Sequence, residues 1–152
     1  MLLDWILASL HHLAIFTLAA TLAGELAILT VEIDARGLER LARIDLGYGI
    51  AAAFVVIFGA ARVIWGAKGY QYYVENSVFW LKIALFVVVG LLSIPPTVRY
   101  LGWGRRRRLD AGFRPGPAEI ARVRLWLWSE AAAFLAIPVA AAAMARGYGM
   151  PS

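Results

Sequence analysis

The sequence predicts an all-α fold, an integral membrane antiparallel four-helix bundle with both termini outside. Three observations predict it. Four long apolar runs fill a 152-residue chain that is 62% hydrophobic and only 16% charged, with a mean hydropathy of +0.71. A spanning helix needs about 20 predominantly apolar residues, and each run meets that length. The basic residues gather in two of the three connections, and isolated ionisable residues sit inside the runs, where lipid makes them costly.

The first run, Trp5–Val31, follows Asp4 with no Lys or Arg ahead of it. A secretory signal peptide wants a positive leading region and a shorter apolar stretch, so this run is expected to be a permanent first helix. The second span is Leu46–Gly66, the third Val78–Val98 and the fourth Leu125–Ala145, with Ala67–Ser77 read as a loop. Together they make one transmembrane domain over residues 1–152 and leave no soluble domain of useful size. Pro95 and Pro96 are expected to kink or terminate the third helix, because proline removes a backbone donor and clashes with the preceding turn. Pro115 and Pro117, in Gly112–Pro117, bar helical continuation ahead of the fourth helix. Pro138 lies within the fourth, where a kink is tolerated if neighbouring helices satisfy the freed carbonyl. Trp80, Trp103, Trp126 and Trp128, with Tyr70, Tyr72, Tyr73 and Tyr100, fit interfacial aromatic belts.

The net charge of +5 is unevenly placed. Arg36, Arg40 and Arg43 lie between helices one and two. Arg99, Arg105 to Arg108, Arg114, Arg122 and Arg124 lie between helices three and four. An even number of intervening spans puts both connections on one side, and the positive-inside rule makes that side cytoplasmic. The termini and Ala67–Ser77 then face the periplasm or cell exterior. The loop with Arg105–Arg108 is expected to attract anionic lipid head groups, at ~1 kcal/mol per charge, rather than nucleic acid.

The ionisable residues within the spans fall into two layers. At 1.5 Å per residue, His11, Arg62 and Lys82 sit roughly 9–10 Å below the outer surface, and Glu25 and Glu130 about 9 Å below the cytoplasmic one. Helical phase gives them shared faces. Asp4, His11, Leu18 and Glu25 align on helix one, and Tyr48, Ala52, Val55, Gly59, Arg62 and Gly66 on helix two. Lys82, Phe86, Val89 and Ser93 align on helix three, and Glu119, Trp126, Glu130, Ala133 and Ile137 on helix four. Ala52, Gly59, Gly66 and Ala133 permit close helix approach. His12 projects about 100° from His11, so the two cannot both ligate one metal from one helix face. Either is a candidate for an axial haem or metal ligand, or for an interhelical hydrogen bond. Lys82 either faces inward or snorkels to the head groups. Glu25 and Glu130 either pair with Arg43, Arg99 or Arg122, or share and pass a proton.

The absence of cysteine excludes disulfides, thiolate metal sites and iron–sulfur clusters. Ser9, Ser77, Ser93 and Ser129 lack a nucleophile context, and no glycine-rich phosphate loop is present. Whether the protein is an enzyme stays open.

Asp4-Trp5 with His11-His12-Leu13, Gly66-Ala67-Lys68-Gly69, Phe79-Trp80-Leu81-Lys82 and Ser93-Ile94-Pro95-Pro96-Thr97 resemble an uncharacterised bacterial four-helix inner-membrane family, a domain of unknown function. The likeness spans nearly the whole chain. More distantly, Leu81 to Phe86 is similar to the lysine-containing helix of the copper-resistance D-like family, and Glu130 to its late acidic position. The first-helix histidine and Lys82 resemble those of the HemJ-like protoporphyrinogen oxidases, which carry haem b. That likeness implies His11 or His12 as haem ligand with Lys82 nearby.

Three functions are in play. The leading expectation is a b-type haem-binding redox protein with its site in the outer half of the bundle. There His11 or His12 ligates iron, Arg62 and Lys82 neutralise the propionates, and quinone or another membrane protein exchanges electrons. The alternative is a non-catalytic accessory or assembly subunit that binds lipid or another membrane protein. A copper or metal transporter ranks third, because Cu(I) prefers soft sulfur ligands and Met1, Met144 and Met150 form no central cluster.

Overall fold

The computed structural model describes residues 1–29 and 33–151. Within them the chain forms five helices: α1 Leu2–Ile28, α2 Ala35–Trp65, α3 Gly69–Val74, α4 Ser77–Leu109 and α5 Pro117–Ala145. All but α3 are long and apolar enough to cross a bilayer. The expected end of the first span, Val31, lies outside the described residues.

Three long helices, α2, α4 and α5, outrun their apolar runs. Asp34 caps α2, its carboxylate accepting from the Gly37 N–H at 2.7 Å, so the helix starts well ahead of Leu46. Leu38 and Leu41 bury one face of this first stretch while Arg36, Arg40 and Arg43 stay exposed. Helix α4, at 33 residues, is about 50 Å long, beyond the ~30 Å of a hydrocarbon core. It runs through Pro95 and Pro96 without ending, contrary to the expected termination. Inside lipid no water competes for the backbone, so a helix persists across a proline that would break it in solution. Arg105 to Arg108 accordingly belong to the last turns of α4 rather than to a loop, and cations there complement the helix C-terminal dipole.

Segment Ala67–Ser77, expected as a loop, contains the six-residue helix α3. Buried Tyr73 anchors it, its ring 5.5 Å from that of Phe79. Asn76 caps α4, accepting from the N–H groups of Val78 and Phe79 at 2.9 and 3.1 Å. The amide of Asn76 also donates to the Tyr148 carbonyl at 3.1 Å, which ties the C-terminal segment to the start of α4. Gly149 is required there: its φ is +86°, and a Cβ would fall 2.6 Å from Val78 Cγ2. Pro117 opens α5 at the position where a missing N–H costs nothing.

Helices α1 and α2 pack along one another, as do α4 and α5, and contacts of α2 with α4 and of α1 with α5 close the set. The contacts between α1 and α2 run in opposite order, from Asp4 at Ala67 to Gly24 at Ile44. Those between α4 and α5 do likewise, from Ser77 at Gly149 to Arg106 at Glu119. The core is built from Leu18, Leu22, Leu41, Val55, Val123 and Leu127. Outside it the usual polarity is inverted: Phe16, Ile57, Val87, Leu91, Leu135 and Val139 are all exposed, a surface suited to lipid rather than water.

The two ends differ in chemistry. At one, Arg107 joins the end of α4 to the start of α2, 3.3 Å from Glu39 and bonded to the Ala35 carbonyl. At the other, the N-terminal turn, α3 and the C-terminal segment gather: Tyr72 donates to the Met144 carbonyl at 3.1 Å, and Lys68 donates to Tyr72 at 3.0 Å.

Candidate functional site

His11, Arg62 and Lys82, expected to share one layer, lie near one another. His11 on α1 turns toward α2, where its Cε1 would lie 3.2 Å from a Cβ at Gly59; glycine at that position lets the ring approach the helix. Arg62 on α2 and Lys82 on α4 are close enough for their charges to act on His11. All three side chains are partly buried. Two of their nitrogens, His11 Nδ1 and Arg62 Nε, are buried with no hydrogen-bond partner among the described residues. Nearby, Asp4 accepts from the Ala67 N–H at 3.1 Å and fixes the turn after α2.

The structure separates the two histidines. His12 is exposed, and its Nδ1 lies 2.6 Å from the Ala8 carbonyl of its own helix. The ring centroids stand 6.2 Å apart with planes inclined at 74°, so the pair does not converge on one ion. Among the described residues no three His, Asp or Glu side chains gather to hold a metal. His11, directed at Gly59 of α2, thus stands apart from exposed His12.

The acidic layer is richer than the sequence suggested. Glu25 on α1 and Glu130 on α5 are buried, at 2% and 1% exposure, and Asp45 on α2 lies within range of both their charges. Tyr100 donates its hydroxyl to Glu25 Oε2 at 3.0 Å. Thr97 donates to Asp45 Oδ1 at 2.7 Å. The Tyr48 hydroxyl faces Glu130 and is the donor available to it, although neither buried carboxylate oxygen makes a close hydrogen bond among the described residues. None of the three carboxylates forms an ion pair there. Arg43 turns to Glu39 at 3.9 Å instead, and Arg99 and Arg122 are exposed. The pairing of Glu25 and Glu130 with arginine, one of the two expectations, is not formed.

Three members of this layer escaped the sequence reading, and each had a signal. The α4 stripe Lys82, Phe86, Val89, Ser93 continues at helical spacing to Pro96, Tyr100 and Trp103, all buried. Tyr100 and Trp103, expected in an aromatic belt, are thus core residues. The α2 stripe likewise extends back from Tyr48 to Asp45 and Leu41. Thr97 lies on α4 level with Asp45. On α5 the reading was one residue off at Trp126, which is 38% exposed, while Leu127 is buried.

Long lipid-facing helices around a polar interior define the class: an all-α, multi-pass protein of the bacterial inner membrane. Within it, this chain belongs to the family described as "Predicted membrane protein (DUF2214)", which matches residues 3–149. No curated protein and no solved structure matches the chain, and the likenesses to the copper-resistance D-like and HemJ-like families gain no support.

Proposed function

We propose that this is a proton-handling membrane protein, with Glu25, Asp45 and Glu130 taking up and releasing protons as part of proton-coupled transport or relay. One observation carries the reading: Glu130 is 1% exposed, within range of the charges of Glu25 and Asp45, with no ion pair among the described residues and the Tyr48 hydroxyl facing it. Neighbouring carboxylates in a medium of low polarity cannot all hold charge, so such a group holds protons among its members. Ionisable residues at membrane depth commonly form relays of this kind. Tyr48, Tyr100 and Thr97 supply hydroxyls that can pass a proton or follow the charge as it moves.

The topology proposed with it is an antiparallel four-helix bundle spanning the inner membrane, with both termini and α3 outside and the arginine-rich end cytoplasmic. Contact of Arg107 with Glu39 and Ala35 supports a shared side for the two basic connections. The carboxylate layer then lies toward the cytoplasm and the His11 layer toward the outside.

The test is pH-difference infrared spectroscopy on protein in liposomes. A protonated-carboxyl band that changes with pH and is lost in Glu130→Gln is expected. Proton uptake into the same liposomes, driven by a potassium diffusion potential, should fall to the empty-liposome level in Glu25→Gln and Glu130→Gln. A folded protein with no titrating buried carboxyl would overturn the reading.

A second reading rests on the unpartnered Nδ1 of His11. In this reading His11 would hold the iron of a b-type haem, and Arg62 and Lys82 would neutralise its propionates, supplying a one-electron redox centre. A Soret band in protein from haem-replete cells, lost in His11→Ala and kept in His12→Ala, would favour it. A colourless protein with no titrating carboxyl points to an accessory subunit.

A further inference from the structure

A cavity of about 530 Å³ opens between α4 and α5 near the basic end. Arg99, Gly102, Trp103 and Arg106 of α4 line it, with Arg122 and Trp126 of α5 opposite. Its polar groups are all donors. Arg106 is already held by Glu119 at 3.1 Å, whereas Arg99 and Arg122 pair with no carboxylate among the described residues. The lining also holds an unsatisfied group: the Trp103 indole N–H is buried with no acceptor among the described residues, on a side chain 1% exposed. A buried donor without an acceptor is costly, and two unpaired guanidiniums beside it call for an anion with several acceptor oxygens.

The surroundings identify the source of that anion. Val98 in the lining is 59% exposed, and Leu101 and Leu125, next in sequence to lining residues Gly102 and Trp126, are 66% and 67% exposed, which sets the cavity where acyl chains meet head groups. Arg99 and Arg106 lie seven residues apart, about 10 Å along the helix axis, a span matching the depth of a head group. A soluble anion would gain nothing from the apolar flank.

We propose that this cavity binds the phosphate-bearing head group of an anionic glycerophospholipid. Arg99 and Arg122 clamp the phosphate, the Trp103 N–H donates to it, and the acyl chains lie along the exposed faces of α4 and α5. The site differs from the expected contact at Arg105–Arg108, because Arg105 and Arg108 do not line the cavity. It does not depend on the proton-handling reading.

The test is native mass spectrometry of the purified full chain titrated with phosphatidylglycerol, phosphatidylcholine and glycerol 3-phosphate. Phosphatidylglycerol should bind one to one and better than either comparator. Arg99→Ala/Arg122→Ala should weaken it about thirtyfold. Gly102→Leu keeps every charge and places its side chain where nothing lies within 4 Å of an added Cβ; it should block binding by filling the cavity. Arg105→Ala/Arg108→Ala should leave affinity unchanged. The proposal fails if that control pair weakens binding as much as the cavity pair, or if Gly102→Leu binds normally. It also fails if phosphatidylcholine binds equally well, or if glycerol 3-phosphate competes on equal terms.

Discussion

The acidic layer of Glu25, Asp45 and Glu130 and the basic layer of His11, Arg62 and Lys82 occupy opposite halves of the same polar interior. In the acidic layer two carboxylates have hydroxyl donors from α4, Tyr100 on Glu25 and Thr97 on Asp45, while Glu130 faces the Tyr48 hydroxyl of α2 without a close bond among the described residues. In the basic layer packing does more: His11 leans on Gly59 with the Val55 backbone facing its ring, and His11 Nδ1 and Arg62 Nε make no close hydrogen bond among the described residues. Helices in lipid lack the hydrophobic drive that packs them in water, so close backbone approach and polar contacts hold them together. One half of this protein relies more on hydrogen bonds between helices and the other more on small-residue contact. Different substitutions should therefore damage each.

The largest expected effect is in the half that holds the basic layer. Gly59→Leu places a branched side chain where a Cβ alone comes within 3.2 Å of His11, so α1 and α2 must part or the ring must move. A loss of about 3 kcal/mol is expected, read from detergent-induced unfolding followed by circular dichroism. If stability is unchanged, the contact between the two helices is looser than described and the basic layer is not held by close approach.

Next comes a gain. Glu130→Leu removes two buried oxygens that make no close hydrogen bond among the described residues. Replacing an unsatisfied buried polar group with an apolar one of similar size recovers its desolvation cost, about 2 kcal/mol. The same variant should lose the pH-dependent carboxyl band. Greater stability without that band is the signature of a residue kept for chemistry at the expense of stability. A clear destabilisation would place Glu130 among the structural supports instead.

The two halves were not equally legible in the sequence. Apolar length alone marks four spanning helices, because lipid allows little else, and the inward stripes of α1 and α2 follow from helical phase. His11, Arg62 and Lys82 lie well inside those runs, and the structure brings them together. The acidic layer was harder to see because its unread members stand at the edges. Asp45 sits one residue before the apolar run begins. Thr97 and Tyr100 follow two prolines that look like the end of a helix. Once the helix is allowed to pass Pro95 and Pro96, the stripe carries Tyr100 and Trp103 inward by arithmetic. A tyrosine or tryptophan near a span end suits an aromatic belt and a core equally well by composition, so only the phase of a continuing helix separates the two.

A smaller effect measures the bonded half directly. Tyr100→Phe deletes one hydroxyl and leaves the ring, removing the 3.0 Å bond to Glu25. A loss of about 1 kcal/mol is expected, measured by the same unfolding assay. Adding Glu25→Leu should cost less on this background than on wild type, because the carboxylate has already lost its donor. Strict additivity would mean that the two residues are not coupled.

The smallest effect separates two neighbouring residues of identical chemistry. His12 is exposed, and its one polar contact runs to the Ala8 carbonyl of its own helix. Alanine has the higher helix propensity, which offsets the loss of that contact, so His12→Ala should change stability by no more than about 0.5 kcal/mol. His11→Ala, by contrast, removes the ring that fills the space over Gly59 and withdraws a group whose environment includes Arg62 and Lys82. Both variants can be compared in one unfolding series. If His12→Ala proves the more damaging, the phase of α1 has been misread by about one residue, and the basic layer would have to be rebuilt around the other imidazole.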